Sequence, residues 1–250
     1  MSPEYFTGFG GAQLALHRLG AGRPVILLHG LFSTAEMNWI KFGHAQALAD
    51  AGFEVLMPDL RAHGDSAKPH DAASYPGDVL ARDAQALVAR LGLTDYDLVG
   101  FSLGSRTSVR AVLAGLQPRR LVLGGMGLAG LAGWGNRANF FLDVIARFGT
   151  IRPGDPAYMA QQFMKSMNVD REAVRLLLGT MTNTAPADLA AIALPTLVLC
   201  GAQDDDNGDP DALAAALPDA IRVTIPGTHM SSVTRPEMAR ELVSFLTGTD

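Results

Sequence analysis

Charge is scarce in this chain. Asp, Glu, Lys and Arg make up 18% of its 250 residues against 48% apolar residues, a balance that excludes a disordered chain. Basic runs are absent, and 20 Lys and Arg against 25 Asp and Glu leave a formal charge of −5. The chain therefore carries no electrostatic footprint for nucleic acid or for an anionic membrane surface. A single cysteine, Cys200, excludes an intrachain disulfide framework and a cysteine-ligated zinc cluster. The longest uncharged run, residues 121–136, is broken by glycines and falls short of the roughly 20 apolar residues a membrane helix needs. Met1-Ser2-Pro3-Glu4-Tyr5 lacks the basic-then-apolar layout of a secretory signal. The expectation is a soluble, cytoplasmic, globular protein with a substantial core.

Short apolar runs alternate with longer helical patterns. Residues 25–28, 54–57, 97–99, 121–123, 196–199 and 221–225 are rich in Val, Ile and Leu, and most precede Gly, Pro or Asp, as parallel strands buried on both faces do. Helical patterns at about 41–51, 77–91, 103–115, 210–217 and 235–247 lie between or after them. Strand-helix alternation predicts a doubly wound, mostly parallel α/β sheet. At the start, residues 5–7 and 13–17 flank Gly8-Phe9-Gly10-Gly11 and read as an antiparallel hairpin on the sheet edge. The alternation breaks from about Met126 to Ile192, where helical segments are separated by Gly, Pro and Asn and no strand is evident. A structureless loop of that length is improbable, so an inserted helical unit is predicted: core 1–125 and 193–250, insertion 126–192.

The sharpest local signal is Gly100-Phe101-Ser102-Leu103-Gly104, preceded by a strand pattern and followed by a helical one. That context fits a nucleophile elbow: small flanking residues permit a tight turn that lifts the serine hydroxyl above the sheet, and the helix start offers free N–H groups to developing negative charge. The bland reading is a glycine-rich strand-to-helix turn. A serine needs a base, and His229 in Pro226-Gly227-Thr228-His229, just past the last strand, falls on the same sheet edge. His29 and His63 read as loop-shaping histidines, and His17, His44 and His70 as surface positions. The base in turn needs an acid. Asp204, Asp205 and Asp206 directly follow a strand and stand between Ser102 and His229 in chain order. Three successive aspartates also suit a solvated turn or a calcium loop.

Together with His29-Gly30 and Asp59-Leu60-Arg61-Ala62-His63-Gly64-Asp65-Ser66, these segments resemble the α/β-hydrolase fold superfamily, of the serine-hydrolase kind with a helical cap. The likeness covers nearly the whole chain. It implies that the backbone amides of Leu31 and Leu103 form an oxyanion hole. It also implies that the acid sits three residues after the glycine ending its strand, which selects Asp204. Serine at position 102 sets the chain apart from dehalogenases and epoxide hydrolases of this fold, which carry aspartate there.

The resemblance implies cleavage of a carboxylic ester of a small, largely apolar molecule through an acyl-enzyme. C–C bond hydrolysis, lactone hydrolysis and haloperoxidase-type perhydrolysis use the same three residues, and a ligand receptor of the same fold can retain them. Phe32, Trp134, Phe140, Phe141 and Met230 are expected to line the substrate pocket, although aromatic residues at helical spacing also pack subdomains. No cofactor is implied, since the Gly-rich turns lack dinucleotide-binding spacing, and no metal site is expected. The expected partner is a small-molecule substrate, and oligomeric state is not legible.

Overall fold

The computed structural model describes residues 2–248. Among these, eight strands form one sheet: β1 (Glu4–Thr7), β2 (Gln13–Gly20), β3 (Arg23–Leu28), β4 (Phe53–Pro58), β5 (Asp97–Phe101), β6 (Leu121–Gly124), β7 (Thr196–Gly201) and β8 (Ala220–Ile225). Their order across the sheet is β1-β2-β4-β3-β5-β6-β7-β8. Antiparallel pairing is confined to β1–β2 and β2–β4, with Tyr5 opposite Ala15 and His17 opposite Met57; all later neighbours are parallel. The edge hairpin read from the sequence is present.

In chain order the helices are α1 (His44–Asp50), α2 (Val79–Leu91) and α3 (Leu103–Leu113), followed between β6 and β7 by α4 (Leu128–Ala132), α5 (Trp134–Ala146), α6 (Tyr158–Ser166) and α7 (Arg171–Leu178). Then come α8 (Pro210–Ala216), α9 (His229–Ser232) and α10 (Pro236–Thr247). Successive side chains of a strand point to opposite faces, and β3 shows what this does here. Val25 and Leu27 join Leu48 of α1 with Leu242 and Leu246 of α10, while Ile26 and Leu28 join Leu87 of α2 and Val109 of α3. The sheet is thus covered on both faces. Leu131, Trp134, Val144, Met164, Val174 and Leu177, all from the helices between β6 and β7, belong to the same apolar cluster as Ile26 and Leu28.

The chain goes from β3 to β4 on one side and then to β5 on the other side of β3. This reversal makes a crevice at the carboxyl ends of β3 and β5, the place where open α/β sheets bind ligands. Two glycines hold it tight. A Cβ on Gly100 would lie 2.3 Å from the backbone of Gly104, and one on Gly104 would lie 1.9 Å from the Leu28 carbonyl oxygen. Helix α3 therefore starts in backbone contact with β3. Gly104→Ala is expected to cost about 1–3 kcal/mol or more of unfolding free energy, the range for forcing volume into a packed interior. Urea unfolding checks this: an unchanged midpoint would mean that α3 and β3 have room to part.

Candidate active site

Ser102 occupies the turn between β5 and α3 with φ 54° and ψ −111°, a left-handed conformation that a non-glycine residue adopts at a cost. The Gly100–Gly104 contact enforces that turn and leaves the hydroxyl at the crevice. Ser102 Oγ lies 3.0 Å from His229 Nε2, to which it can donate its proton. On the far side of the ring, His229 Nδ1–H donates to both Asp204 oxygens at 3.0 and 3.1 Å. His229 and Asp204 are buried, 7% and 8% exposed, so this chain of hydrogen bonds is largely shielded from water.

Local sequence explains how the three meet. Thr228 caps α9 through a reciprocal capping box with Ser231, which fixes His229 as the first residue of that short helix. Gly201 ends β7 with no room for a side chain: a Cβ there would lie 2.3 Å from the Gly227 carbonyl oxygen, so the loops bearing Asp204 and His229 close on each other. Gly125, at φ 57°, leaves the space that the His229 ring and Phe101 fill, with those two rings 5.1 Å apart. Of the neighbouring carboxylates, Asp205 is exposed and Asp206 pairs with Arg137 at 3.2 Å. Asp204 alone of the three reaches the histidine.

The loop after β3 carries the Leu31 amide, and histidines hold that loop in place. The Phe32 N–H, at a residue with φ 61°, donates to His63 Nε2 at 3.1 Å. Reciprocally, the Leu60 N–H donates to His29 Nε2 at 2.9 Å. Each ring gives its Nδ1–H to a carbonyl, His63 to Arg61 at 3.0 Å and His29 to Gly30 at 2.8 Å. Both imidazoles must therefore be neutral. Burial is the main cause: it pushes His63 down to about 3 and lowers His29 as well. Asn38 and Asp59 complete the support by accepting the Gly30 and Ala35 amides at 3.0 and 2.8 Å. Burial alone would raise the Asp59 carboxyl, but His17, His29 and the amides of Asp65 and Ala35 hold it well below the usual range. With that scaffold in place, the Leu31 and Leu103 amides have no acceptor among the described residues.

A cavity of about 750 Å³ opens beside Ser102, and Phe32, Trp134, Phe140, Phe141 and Met230 all line it, as do Leu31 and Leu103. A second cavity of about 210 Å³, lined by Met37, Phe42, Val233 and Thr234, touches Ser102 and His229 from another side. Sequence reasoning missed Arg106, Met126 and Asn207 in the larger wall. Of these, Arg106 carried a signal, standing four residues after Ser102 and so one helical turn on. The reading of His17 and His44 as surface positions is corrected: they are 6% and 0% exposed. Strand β2 lies inside the sheet between β1 and β4, which covers His17, and His44 Nε2 sits 2.6 Å from the Val233 carbonyl oxygen beneath the C-terminal segment. His70 is exposed and pairs with Asp170 at 2.9 Å. Among the described residues, His17, Asp59 and Asp65 are the group whose ligand atoms lie close enough, within 4.8 Å, to share a cation. Both Asp59 oxygens already accept amide hydrogens, from Ala35 and Asp65, which marks the group as a support for the loop.

Comparison with known proteins agrees with this architecture. Residues 23–130 match the profile of the alpha/beta hydrolase fold. The chain is 28% identical over 214 residues to the AB hydrolase superfamily protein YisY of Bacillus subtilis (strain 168), covering 76% of this chain and 78% of that one. It is 29% identical over 245 residues to a non-heme haloperoxidase of Rhodococcus erythropolis, covering 84% and 85%. A thermophilic esterase from Thermogutta terrifontis superposes with a TM-score of 0.77 at 24% identity, over 99% of both chains.

The buried histidines make stability depend on pH. His63 titrates at 6.5 when unperturbed and near 3 in the fold, so its contribution is complete above pH 6.5 and is lost as pH falls from there toward 3. His29 acts in the same direction. His17, raised chiefly by its hydrogen bond to Asp59, acts oppositely: its contribution is complete below 6.5 and is lost as pH rises through its folded value. Each histidine that must stay neutral adds a slope of up to about 1.4 kcal/mol per pH unit below pH ~6.5. His63→Gln keeps an acceptor without titrating and is expected to flatten the acid-side loss in urea unfolding; a slope equal to that of the parent protein refutes the assignment.

Proposed function

The chain has the α/β-hydrolase fold, and from that premise we propose that it is a serine hydrolase cleaving carboxylic esters through an acyl-enzyme. The observation that carries the reading is the unbroken hydrogen-bond chain from Ser102 Oγ through His229 to Asp204, at 3.0 Å on each side of the ring.

In this mechanism Ser102 Oγ attacks the ester carbonyl carbon while its proton passes to His229 Nε2. The carbonyl oxygen becomes an oxyanion, and the Leu31 and Leu103 amides donate to it; they are pre-placed and need no reorganisation as charge develops. Asp204 holds the Nδ1–H tautomer and stabilises the imidazolium. The tetrahedral intermediate then collapses, the C–O bond to the alcohol breaks, and the leaving oxygen takes the proton from Nε2. Water repeats the sequence on the acyl-enzyme, giving its proton to His229 and releasing the acid and the free serine. The apolar and aromatic walls beside Ser102 supply an environment of low dielectric, in which these dipoles act strongly.

Turnover of short p-nitrophenyl esters tests the reading. Ser102→Ala is expected to lower kcat by about 10⁶, as removal of a triad nucleophile does. Near-parental turnover by that variant in a preparation free of contaminating esterase would falsify the serine mechanism. No turnover of any ester by the parent protein would favour a receptor of the same fold.

The acid assignment has its own comparison. Asp204→Asn is expected to lose roughly 10⁴ in kcat by favouring the wrong histidine tautomer. Asp205→Asn, on an exposed side chain that does not reach His229, is expected to stay within about tenfold of the parent, the range of a change outside the hydrogen-bond chain. The opposite ranking removes Asp204 from the mechanism.

A further inference from the structure

The larger cavity contains a charge that the mechanism above does not use. Its polar lining includes two guanidinium groups, Arg106 and Arg137, and one carboxylate, Asp206. Arg137 pairs with Asp206, which leaves Arg106 as the excess: two cations against one anion.

Arg106 is 3% exposed and rises from the first turn of α3, its amide bonded to the Ser102 carbonyl at 3.1 Å. It makes no ion pair among the described residues. The carboxylate that acts on it, Asp78, is held by Arg110. Its Nη1 donates to the carbonyls of Gly130 and Leu131 at 2.7 and 3.0 Å, and its Nη2 donates to that of Thr182. The guanidinium plane lies over Trp134, 5.0 Å from the ring centre. A guanidinium has five N–H donors. Three are thus spent on holding the polypeptide at the two ends of the insertion, and Nε–H with the second Nη2–H remains. Desolvation weakens the charged form and lowers this arginine to about 10, which still leaves it charged at neutral pH.

A buried cation without a counter-ion is unfavourable in an apolar wall, and an anionic group of a bound molecule would relieve it. The two cavities tell which part of an ester carries that group. The leaving oxygen must sit at His229 Nε2; His229 and Met230 line both cavities, but Val233 and Thr234, which follow them in the chain, line the smaller alone, and Leu103 and Arg106 line the larger alone. The acyl portion is left to the larger cavity, where Leu103 and Arg106 stand on one helix. We propose that the protein selects esters whose acyl chain ends in a carboxylate, with Arg106 as the receiving cation. This rests on the ester reading given above and deepens it: the acyl body is apolar, as the aromatic lining requires, and its far end is charged.

The test compares mono-p-nitrophenyl adipate with its neutral methyl ester on the parent protein. The adipate chain is long enough to keep its own carboxylate from assisting hydrolysis. A hydrogen-bonded charge pair predicts a preference of about 10–100-fold in kcat/KM for the anion. Arg106→Gln is expected to collapse that ratio toward one, and Arg106→Lys, which keeps the charge without the planar fork, to retain part of it. Circular dichroism and the melting midpoint establish that each variant is folded. If neither variant folds, the ratio on the parent protein still decides. Equal or faster hydrolysis of the neutral ester overturns the proposal while leaving the esterase reading intact, whereas failure to hydrolyse either ester overturns the esterase reading itself. A second pair, 4-acetoxybenzoate against phenyl acetate, places the charge on the leaving group. A preference seen there and not with adipate overturns the acyl assignment.

Discussion

At the elbow two backbones touch. The Leu28 carbonyl and the start of α3 approach so closely at Gly104 that no side chain fits between them, and much of the candidate site follows from that approach. It draws the end of β5 into a turn that puts Ser102 in a left-handed conformation, and it brings the loop after β3 alongside the first free amide of α3. A looser junction would separate the Leu31 and Leu103 amides and tilt the hydroxyl away from His229. The cost of the strained serine is met by the packing of two strands and a helix around it, as strain at functional positions generally is.

Histidines stand in two different settings in this fold. His229 lines the cavity, hydrogen-bonded to the Asp204 carboxylate on one side of its ring and to the Ser102 hydroxyl on the other. His29 and His63 lie deeper and accept backbone amides across two loops, each loop holding the other through one ring. The same chemical group suits proton transfer where it bridges a carboxylate and a hydroxyl, and is a fixed acceptor where burial forbids its charge. The loop with the Leu31 amide is held by the side chains of Asn38, His63 and Asp59.

Much of this was legible in the chain. Glycines at 100 and 104, a strand pattern before them and a helical pattern after them pointed to Ser102, and the ends of two later strands pointed to the three aspartates and to His229. The choice of Asp204 needed the family resemblance, because adjacent carboxylates are identical in composition and differ only in where the loop aims them. The five apolar residues expected at the pocket do line it. What could not be read were environments made by distant segments. His17 stands between Leu16 and Arg18 and His44 between Gly43 and Ala45, and their burial comes from β1, β4 and the segment around Val233. Arg106 is defined by carbonyls of residues 130, 131 and 182, which no local pattern brings near it.

The helices between β6 and β7 share one continuous apolar cluster with the sheet beneath them. Substitutions that reshape the pocket wall therefore draw on the same folding free energy as the core. A native domain has only about 5–15 kcal/mol of it. Trp134 and Met126 line the cavity and are anchored in that cluster, so changing them to reshape the pocket would erode the whole fold. Exposed positions on the same helices, Phe140 and Met159 among them, are partly free of that coupling. Substitutions that cost the fold little are thereby concentrated on the outward-facing side of these helices, and larger remodelling would have to be preceded by stabilising changes elsewhere.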